Sequence, residues 1–406
     1  MADLVVRPLD PNRPEERERF LDITFQAFNI PSAQRQVIAE ANKTNYDETL
    51  AVFAGQELLA GLLILDKAVY VGQNAIPMGG IAAVACPPEH RRKGATSRLL
   101  TESLHRMHSQ GQAISMLYPF NYQFYRRYGW ELGTVQRHYS IALSDLKEFL
   151  PAQGHTRRGT KEDIDAVSAL YDQWARAYIG PLRRNRRDWE KQLCPSNPGQ
   201  EDYRYLYLWY PTADCPQPEG YIVFTISTQS GRRLQVQEFC ALSLEAYRGL
   251  WGLLANHDSQ AERIEISLPE DDPLTYVMAN PKVIRCSLEP SAMFRIVDVI
   301  PALEGRPFGV ASATLGIEIS DPLCPWNQGS FLLTIADGQG SVTQTTGEHH
   351  SSLALSIETL SQIYTGTISP SQALSLGKAQ AKGTIDDLAL WDQAFGNLSS
   401  HIWDRF

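Results

Sequence analysis

The clearest alternation of apolar and polar positions lies in residues 79–129. Residues 81–86 form a continuous apolar run with the length of a buried strand, and two prolines end it because proline donates no hydrogen bond to a sheet. A second apolar run follows at 113–118, and an aromatic segment then ends at Gly129. Between the two runs, apolar residues recur at helical spacing at Leu99, Leu100, Leu104 and Met107. The pattern predicts strand, turn, helix, strand and a short aromatic helix with Gly129 as its C-cap.

The same patterns predict the elements that lead into and out of this stretch. Helices are expected at 16–28 and 34–41, and a strand at 137–143 is expected to close a first α/β domain. The remaining predicted strands of this domain are 4–9, 50–54, 58–65 and 67–73, the last two joined by a turn near Asp66.

Two further units follow in the sequence. At 406 residues the chain exceeds the roughly 250–300 residues of a single core, so two or three domains are expected. We place boundaries to give domains at 1–150, 151–290 and 291–406. The second has predicted strands at 203–209, 220–228, 235–241 and 264–268 and helices at 163–177 and 244–256. The third has predicted strands at 317–320, 329–336 and 342–345 and helices at 356–364 and 371–376.

The turn after the first strand of residues 79–129 reads His90-Arg91-Arg92-Lys93-Gly94-Ala95. A helix begins here, and its first turn offers free N–H groups and the positive end of the dipole to an anion. Gly94 allows close approach of the backbone to a ligand, and three consecutive cations attract a polyanion. The turn therefore indicates a phosphate site, with a solvated basic helix start as the alternative.

These residues resemble the acetyl-CoA site of the GNAT N-acetyltransferases, whose signature is R/Q-x-x-G-x-G/A. Arg91 and Gly94 match this signature, whereas Thr96 stands where glycine or alanine is usual. The departure, together with PxHRRxG, FYRRYGW and the total length, resembles the Eis-like (enhanced intracellular survival) branch of that family. The resemblance implies an α/β (α+β) chain with tandem GNAT domains and a sterol-carrier-protein-like α+β domain. The second GNAT domain would be degenerate, since ALSLEAYRGL lacks the basic glycine turn.

The resemblance also implies how acetyl-CoA is bound. Backbone N–H groups of Val84 and Cys86 would hold the pantetheine and polarise the thioester oxygen. The pyrophosphate would be bound by the turn that follows, at Arg91, Arg92, Lys93, Gly94, Ala95 and Thr96. Cys86 has no histidine beside it in the sequence and is interpreted as an apolar strand residue.

Two catalytic residues are implied by the same resemblance. Tyr125 would be the general acid, since a phenol (pKa ~10) can protonate a thiolate leaving group (pKa ~8.5); the alternative is one packing aromatic among several. The C-terminal carboxylate of Phe406 would accept the amine proton, with a simply packed aromatic as the alternative. Arg405 stands where better-known relatives have an acidic residue, and a cation there would repel a polycationic substrate.

Composition and charge argue against several other classes of protein. A net charge of −9 argues against a general nucleic-acid binder, so Arg183-Arg184-Asn185-Arg186-Arg187 is interpreted as a solvated or subunit-contact helix. Six scattered cysteines without a C-x-x-C pair indicate reduced thiols in a cytoplasmic protein without a zinc site, and His349-His350 is only a weak metal signal. The N-terminus does not resemble a signal peptide, and no apolar run approaches the ~20 residues of a membrane span.

Two functions remain open on the sequence. The first is an acetyl-CoA-dependent N-acetyltransferase that acts by direct transfer, without a metal, on amines of polyamine-like, aminoglycoside-like or lysine substrates. The second is a non-catalytic protein that binds an apolar ligand in the sterol-carrier-like domain. A homo-hexamer is expected from the resemblance alone.

Overall fold

The computed structural model describes residues 4–41, 46–193, 203–227, 231–346, 351–383 and 388–406. Its first third comprises β1 (Leu4–Pro8), α1 (Pro14–Ala27), α2 (Ser32–Ala41), β2 (Thr49–Ala54), β3 (Glu57–Val71), β4 (Asn74–Ala85), α3 (Ala95–Ser109), β5 (Ile114–Leu117), α4 (Tyr122–Arg126), β6 (Glu131–Leu132) and β7 (Val135–Ala142). The middle comprises β8 (His155–Arg158), α5 (Ile164–Ala175), β9 (Tyr178–Leu182), α6 (Arg186–Leu193), β10 (Tyr205–Tyr210), β11 (Gly220–Ser227), β12 (Arg233–Ala241), α7 (Leu244–Ala255), β13 (Arg263–Pro269), α8 (Leu274–Val277) and β14 (Arg285–Pro290).

The last part of the chain follows β14. It comprises β15 (Met293–Ile296), α9 (Val299–Glu304), β16 (Ser312–Ser320), β17 (Gly329–Ala336), β18 (Gln339–Thr345), β19 (Ser351–Ser356), α10 (Ile357–Tyr364), α11 (Pro370–Ser375), β20 (Ala379–Gly383), α12 (Leu388–Phe395) and β21 (Ser399–Ser400). Across the described residues these strands form three sheets.

The first sheet has the order β1-β2-β3-β4-β5-β15-β6, with β9 paired to β3 and β21 paired to β9. β4 and β5 are parallel, and α3 connects them. The predicted turn near Asp66 is wrong, because β3 is one strand of 15 residues in which Asp66 pairs with Gly79 of β4. Its carboxylate accepts a hydrogen bond from Gln112 at 3.0 Å, so a polar residue is accommodated within the strand.

The second sheet has the order β14-β7-β13-β12-β11-β10-β8. The prediction that residues 137–143 close the first domain is therefore wrong: β7 pairs with β13 and β14 of the second sheet. The first sheet instead receives β15, which pairs antiparallel with β5 and β6. Domain limits at 150 and 290 stay a proposal, since the first and second sheets each contain a strand from the other side of a limit.

The third sheet has the order β18-β17-β16-β19-β20. Its buried residues, including Phe331, Leu333 and Leu353, form one apolar cluster with Phe294 and Ile296 of β15. The core of the C-terminal part is thereby continuous with the first sheet. Arg295 of β15 is fully buried between them, where it pairs with Asp321 at 2.9 Å and donates to the Tyr128 carbonyl oxygen at 2.7 Å.

Gly129 lies directly against this arginine, just after α4. Its φ is +88°, and a Cβ added there would stand 2.6 Å from Arg295 Nε. Gly111 after α3 has a similar φ of +72° but no atom within 4 Å of an added Cβ.

We expect Gly111→Ala to reduce the free energy of unfolding by about 1–2 kcal/mol, through left-handed backbone strain alone. Gly129→Ala should cost about 1–3 kcal/mol more, because its Cβ also overpacks against Arg295. Urea unfolding of both variants checks this; equal losses would contradict the account.

Candidate active site

The first feature of the site is an opening between β4 and β5. Their parallel pairing stops at Ile81 and Leu117, whereas β4 continues to pair with β3 as far as Ala85. A bulge near Ala83, whose φ is +50°, changes the direction of the end of β4. Residues 82–85 consequently present an edge toward β5 that no strand of the described residues covers. Val84 lies within this edge, and Cys86 directly follows it.

The second feature is the turn that leads from this edge into α3. Gly94 immediately precedes α3 with φ +86°, and Arg92 also has a positive φ of 61°. Among the described residues, the backbone N–H groups of residues 92–97 donate no hydrogen bond. Several N–H groups without a partner among the described residues therefore lie at the positive end of a 15-residue helix. An added Cβ at Gly94 would meet no atom within 4 Å, so space for a ligand is open at this point.

The side chains of the turn have different roles. Arg92 and Lys93 are exposed and form no ion pair with any described residue. Arg91 instead donates from Nε to the Cys86 carbonyl oxygen at 3.1 Å, which fixes the turn to the end of β4. Burial raises the pKa of Cys86, and the nearby Thr96 hydroxyl opposes this shift. The thiol is therefore protonated at neutral pH.

Tyr125 lies in α4, beyond the end of β5. The Asn121 side chain caps this helix by accepting from the Phe124 N–H at 3.0 Å. Tyr125 is 3% exposed and makes edge contacts with Phe120 and Phe124 at ring distances of 5.4 and 5.0 Å. Burial raises the pKa of Tyr125 well above its ordinary value. The phenol is consequently fully protonated at neutral pH, and none of the hydrogen bonds between described residues uses its hydroxyl.

Phe406, the last residue, lies on the other side of the same strands. A Cβ at Gly80 of β4 would stand 2.9 Å from the Phe406 ring, and the Tyr118 ring lies 5.8 Å from it. Gly80 pairs with Met116 just before β4 and β5 separate. The end of the chain is thus packed at the opening. Arg405 beside it is exposed.

The tail that carries Phe406 is held by a buried ion cluster between Arg184, which follows β9, and residues of the second sheet. Asp404 accepts from Arg184 Nε at 2.7 Å, and its backbone carbonyl accepts from the Tyr118 hydroxyl at 2.5 Å. Arg184 also donates twice to Glu238, at 2.7 and 3.1 Å, and Glu238 accepts from Tyr221 at 2.6 Å. The side chains of Arg184 and Glu238 are 0% exposed. This cluster ties the chain terminus to the central part of the protein.

Sequence reasoning missed Arg184 and Tyr118. The prediction of a solvated or contact helix is wrong for Arg184, which is fully buried, and holds for Arg186, which pairs at the surface with Asp165 and Glu190. Nothing in the run of arginines distinguishes the two. Asp404 lies two residues before Phe406 in the sequence, but its position there does not indicate that its partner is Arg184.

The predicted site residues fall into two groups. Tyr125 and Ala95 belong to one apolar cluster, against which Val84 and Cys86 pack. Phe406 and Tyr118 pack instead against the cluster of the C-terminal part. Both groups border the opening between β4 and β5, and no ring contact between described residues links Tyr125 with Phe406.

Two further observations concern metal ligands and membrane-spanning helices. No group of three or more metal-ligating side chains occurs within the described ranges, and His349-His350 lie outside them. None of the helices in the described part of the chain has the length and apolar character of a membrane span. The unpaired edge and free amides fit an extended molecule that bears phosphates at one end.

Comparison with known proteins identifies three domains and several relatives of the chain. Family models for GNAT acetyltransferase domains match residues 8–133 and 180–296, and a sterol carrier protein domain matches 299–403. The N-acetyltransferase Eis of Mycobacterium tuberculosis is 24% identical over 341 residues, which cover 81% of each chain. An uncharacterized N-acetyltransferase of Streptomyces avermitilis is 25% identical over 380 residues, or 90% of this chain and 91% of that one.

Solved structures resemble the fold over its whole length. A GCN5-related N-acetyltransferase from Anabaena variabilis superposes with a TM-score of 0.87 and 27% identity, covering 100% of both chains. Eis1 from Mycobacterium abscessus shares the fold with a TM-score of 0.81 at 21% identity, again over 100% of both chains.

The two GNAT domains and the opening between β4 and β5 define this protein as an acetyltransferase of the GNAT class. Within that class the chain is an Eis-like acetyltransferase, with a sterol carrier protein domain after its two GNAT domains.

Proposed function

We propose that the protein transfers the acetyl group of acetyl-CoA directly to a primary amine. The observation that carries the proposal is that two features follow each other in the chain. The uncovered edge of residues 82–85 is followed by residues 92–97, whose backbone N–H groups donate no hydrogen bond to a described residue. The edge suits an extended pantetheine, and the amides with Arg92 and Lys93 suit a pyrophosphate.

Each remaining part of the reaction has a candidate group. Acetyl-CoA supplies an activated thioester. The N–H groups of Val84 and Cys86 polarise its carbonyl oxygen as the amine attacks, and the amine proton passes to the carboxylate of Phe406, directly or through water. Tyr125 gives its proton to the departing sulfur. The C–S bond breaks as the C–N bond forms, so the products are an amide and CoA thiol.

The proposed class of acceptor rests on the resemblance to Eis-like enzymes and on the charged residues near Phe406. We propose amines of polyamine-like or aminoglycoside-like molecules, or lysine side chains. Asp404 does not attract such a cation, because Arg184 already pairs with it at 2.7 Å. Exposed Arg405 favours acceptors with few charges near the reacting nitrogen.

A thiol-release assay tests the function. Purified protein and acetyl-CoA are mixed with a polyamine, an aminoglycoside or a lysine peptide, and free thiol is followed with time. Amine-dependent release supports the proposal. Absence of release with every amine, together with absence of CoA binding, would favour the alternative of a protein that binds an apolar ligand.

Direct transfer makes a specific prediction about Cys86. Since burial raises its pKa and only its backbone N–H is assigned a role, Cys86→Ala should retain turnover within about threefold and bind acetyl-CoA normally. Mass spectrometry of the wild-type protein after mixing with acetyl-CoA should find no acetylated Cys86. An acetyl thioester on this residue that forms and decays at the rate of turnover would contradict direct transfer.

Two properties of the whole molecule also rest on the family resemblance. We propose a homo-hexamer in the cytoplasm. Sedimentation equilibrium checks the first, and fractionation of the source cells checks the second.

A further inference from the structure

A second opening exists in the middle sheet. β12 and β13 pair in parallel from Arg233–Arg263 to Val236–Ile266, as β4 and β5 pair from Met78–Ile114 to Ile81–Leu117. In each case a helix connects the two strands, and the first strand continues beyond the last pair: β4 to Ala85 and β12 to Ala241. We call the space beyond the pairing of β12 and β13 the central cleft.

The central cleft contains a cavity of about 320 Å³. This volume lies at the lower end of the range of about 300–1,000 Å³ found for small-molecule sites. Four aromatic side chains contribute to its wall: Trp174, Tyr178, Phe239 and Tyr247. They stand in two pairs, with ring distances of 4.7 Å for Trp174–Tyr178 and 5.3 Å for Phe239–Tyr247. The wall therefore suits an apolar body or a cation that lies over aromatic faces.

One carboxylate also lines the cavity. Asp272 is 6% exposed and accepts from the Tyr247 hydroxyl and the Leu274 N–H, each at 3.0 Å. An ionised carboxylate can accept about four hydrogen bonds, so these two donors leave capacity unused. No ion pair of the described residues includes Asp272, and a buried charge without a counter-ion is costly.

The mouth of the cleft disfavours anions. α7 begins after Ser243, whose hydroxyl accepts from the Ala246 N–H at 3.2 Å and donates to Glu219 at 2.8 Å. Glu245 occupies the first turn of the helix, and Asp271 precedes Asp272. Acidic side chains therefore flank the mouth of the cleft, and Arg137 is a nearby cation whose charge lowers the pKa of Asp272 against the effect of burial.

We propose that the central cleft binds a small organic ammonium ion, with its apolar body between the aromatic side chains and its nitrogen on Asp272. This site is separate from the proposed transfer site and carries no acetyl-CoA. Burial raises the pKa of Asp272 to about 6, so the carboxylate is mainly ionised at neutral pH. A cation that reaches it gains a charge-assisted hydrogen bond in a setting of low dielectric.

Calorimetric titration tests the proposal with phenethylammonium and its uncharged analogue 2-phenylethanol. The full chain is used without acetyl-CoA, so that no turnover occurs. The ammonium ion should bind at least about tenfold more tightly than the alcohol, because only it forms a charge-assisted bond. Equal affinities, or no heat with either compound, would overturn the proposal.

Three variants locate the bound ammonium ion. Asp272→Asn removes the charge, and Ala241→Leu fills the cavity while keeping the charge; both should reduce affinity at least about tenfold. A chain that lacks Phe406 alters only the transfer site and should bind the ammonium ion unchanged. Loss of binding without Phe406 but not in the other two variants would place the ion at the transfer site and overturn the proposal.

Thermal melting of each variant separates misfolding from lost binding. Should Asp272→Asn fail to fold, because its carboxylate also accepts from Leu274, the Ala241→Leu variant decides. If neither variant folds, the position of the ion is determined in a crystal of the wild-type protein soaked in phenethylammonium. Density for the ion on Asp272 supports the proposal, and density only at the transfer site or elsewhere overturns it.

Discussion

Tyr125→Phe should lower the rate of amine-dependent thiol release by about 100-fold or more, the usual contribution of a positioned general acid. The affinity for acetyl-CoA should not change, because the phenyl ring keeps its contacts with Phe120 and Phe124 and none of the hydrogen bonds between described residues uses the lost hydroxyl. Stopped-flow thiol detection gives the rate, and calorimetry gives the affinity.

Tyr122→Phe is the matched control on the same helix. The Tyr122 hydroxyl donates to the Ser291 carbonyl oxygen at 2.6 Å, so its loss should cost about 1 kcal/mol of stability. The rate of transfer should stay within about threefold of the wild type, since Tyr122 has no role in proton transfer. If Tyr125→Phe turns over normally, or if both variants lose the same activity, Tyr125 is not the general acid.

Arg184→Met should have the largest effect on stability. The substitution leaves the carboxylates of Glu238 and Asp404 buried without their cation, and breaking a buried ion pair in this way costs about 3–5 kcal/mol. Urea unfolding measures the loss. Arg186→Met is the matched control in the same arginine run. Its exposed pairs with Asp165 and Glu190 are worth at most about 1 kcal/mol.

Arg184 should also affect catalysis as a positioning residue. Without it, the Asp404 side chain loses its cation and the tail is held less tightly, so Phe406 should leave its place against Gly80 more often. At a temperature where Arg184→Met remains folded, the apparent KM for the amine should rise while acetyl-CoA affinity persists. A merely structural residue would not separate these two quantities. Unchanged kinetics in a folded Arg184→Met protein would contradict the role of the tail.

The sequence predicted those parts of the site that depend on neighbouring residues. The basic turn with Gly94 and the helix with Leu99, Leu100 and Leu104 on its buried face occur as expected. These features depend on local backbone preference and helical spacing, which residues 79–129 contain in full. The three-part organisation was implied by the family resemblance, which rests on the motifs of residues 79–129 and on the length of the chain.

Features that depend on distant pairing could not be predicted in this way. β7 reads VQRHYSIA and β15 reads MFRI, and nothing in either pattern specifies which sheet the strand joins. The buried position of Arg184 depends on Glu238 and Asp404, which lie 54 and 220 residues away in sequence. Asp272 accepts from the nearby Leu274 N–H, whereas its burial beside Tyr247 depends on the packing of α7.

A crystal structure of the protein with CoA tests the central claim most directly. We expect the pyrophosphate within hydrogen-bond distance of the amides of residues 92–97, and the pantetheine along the uncovered edge of residues 82–85. The thiol should then lie beside the Tyr125 hydroxyl. A nucleotide bound elsewhere, or a thiol directed away from Tyr125 and Phe406, would contradict the proposed site.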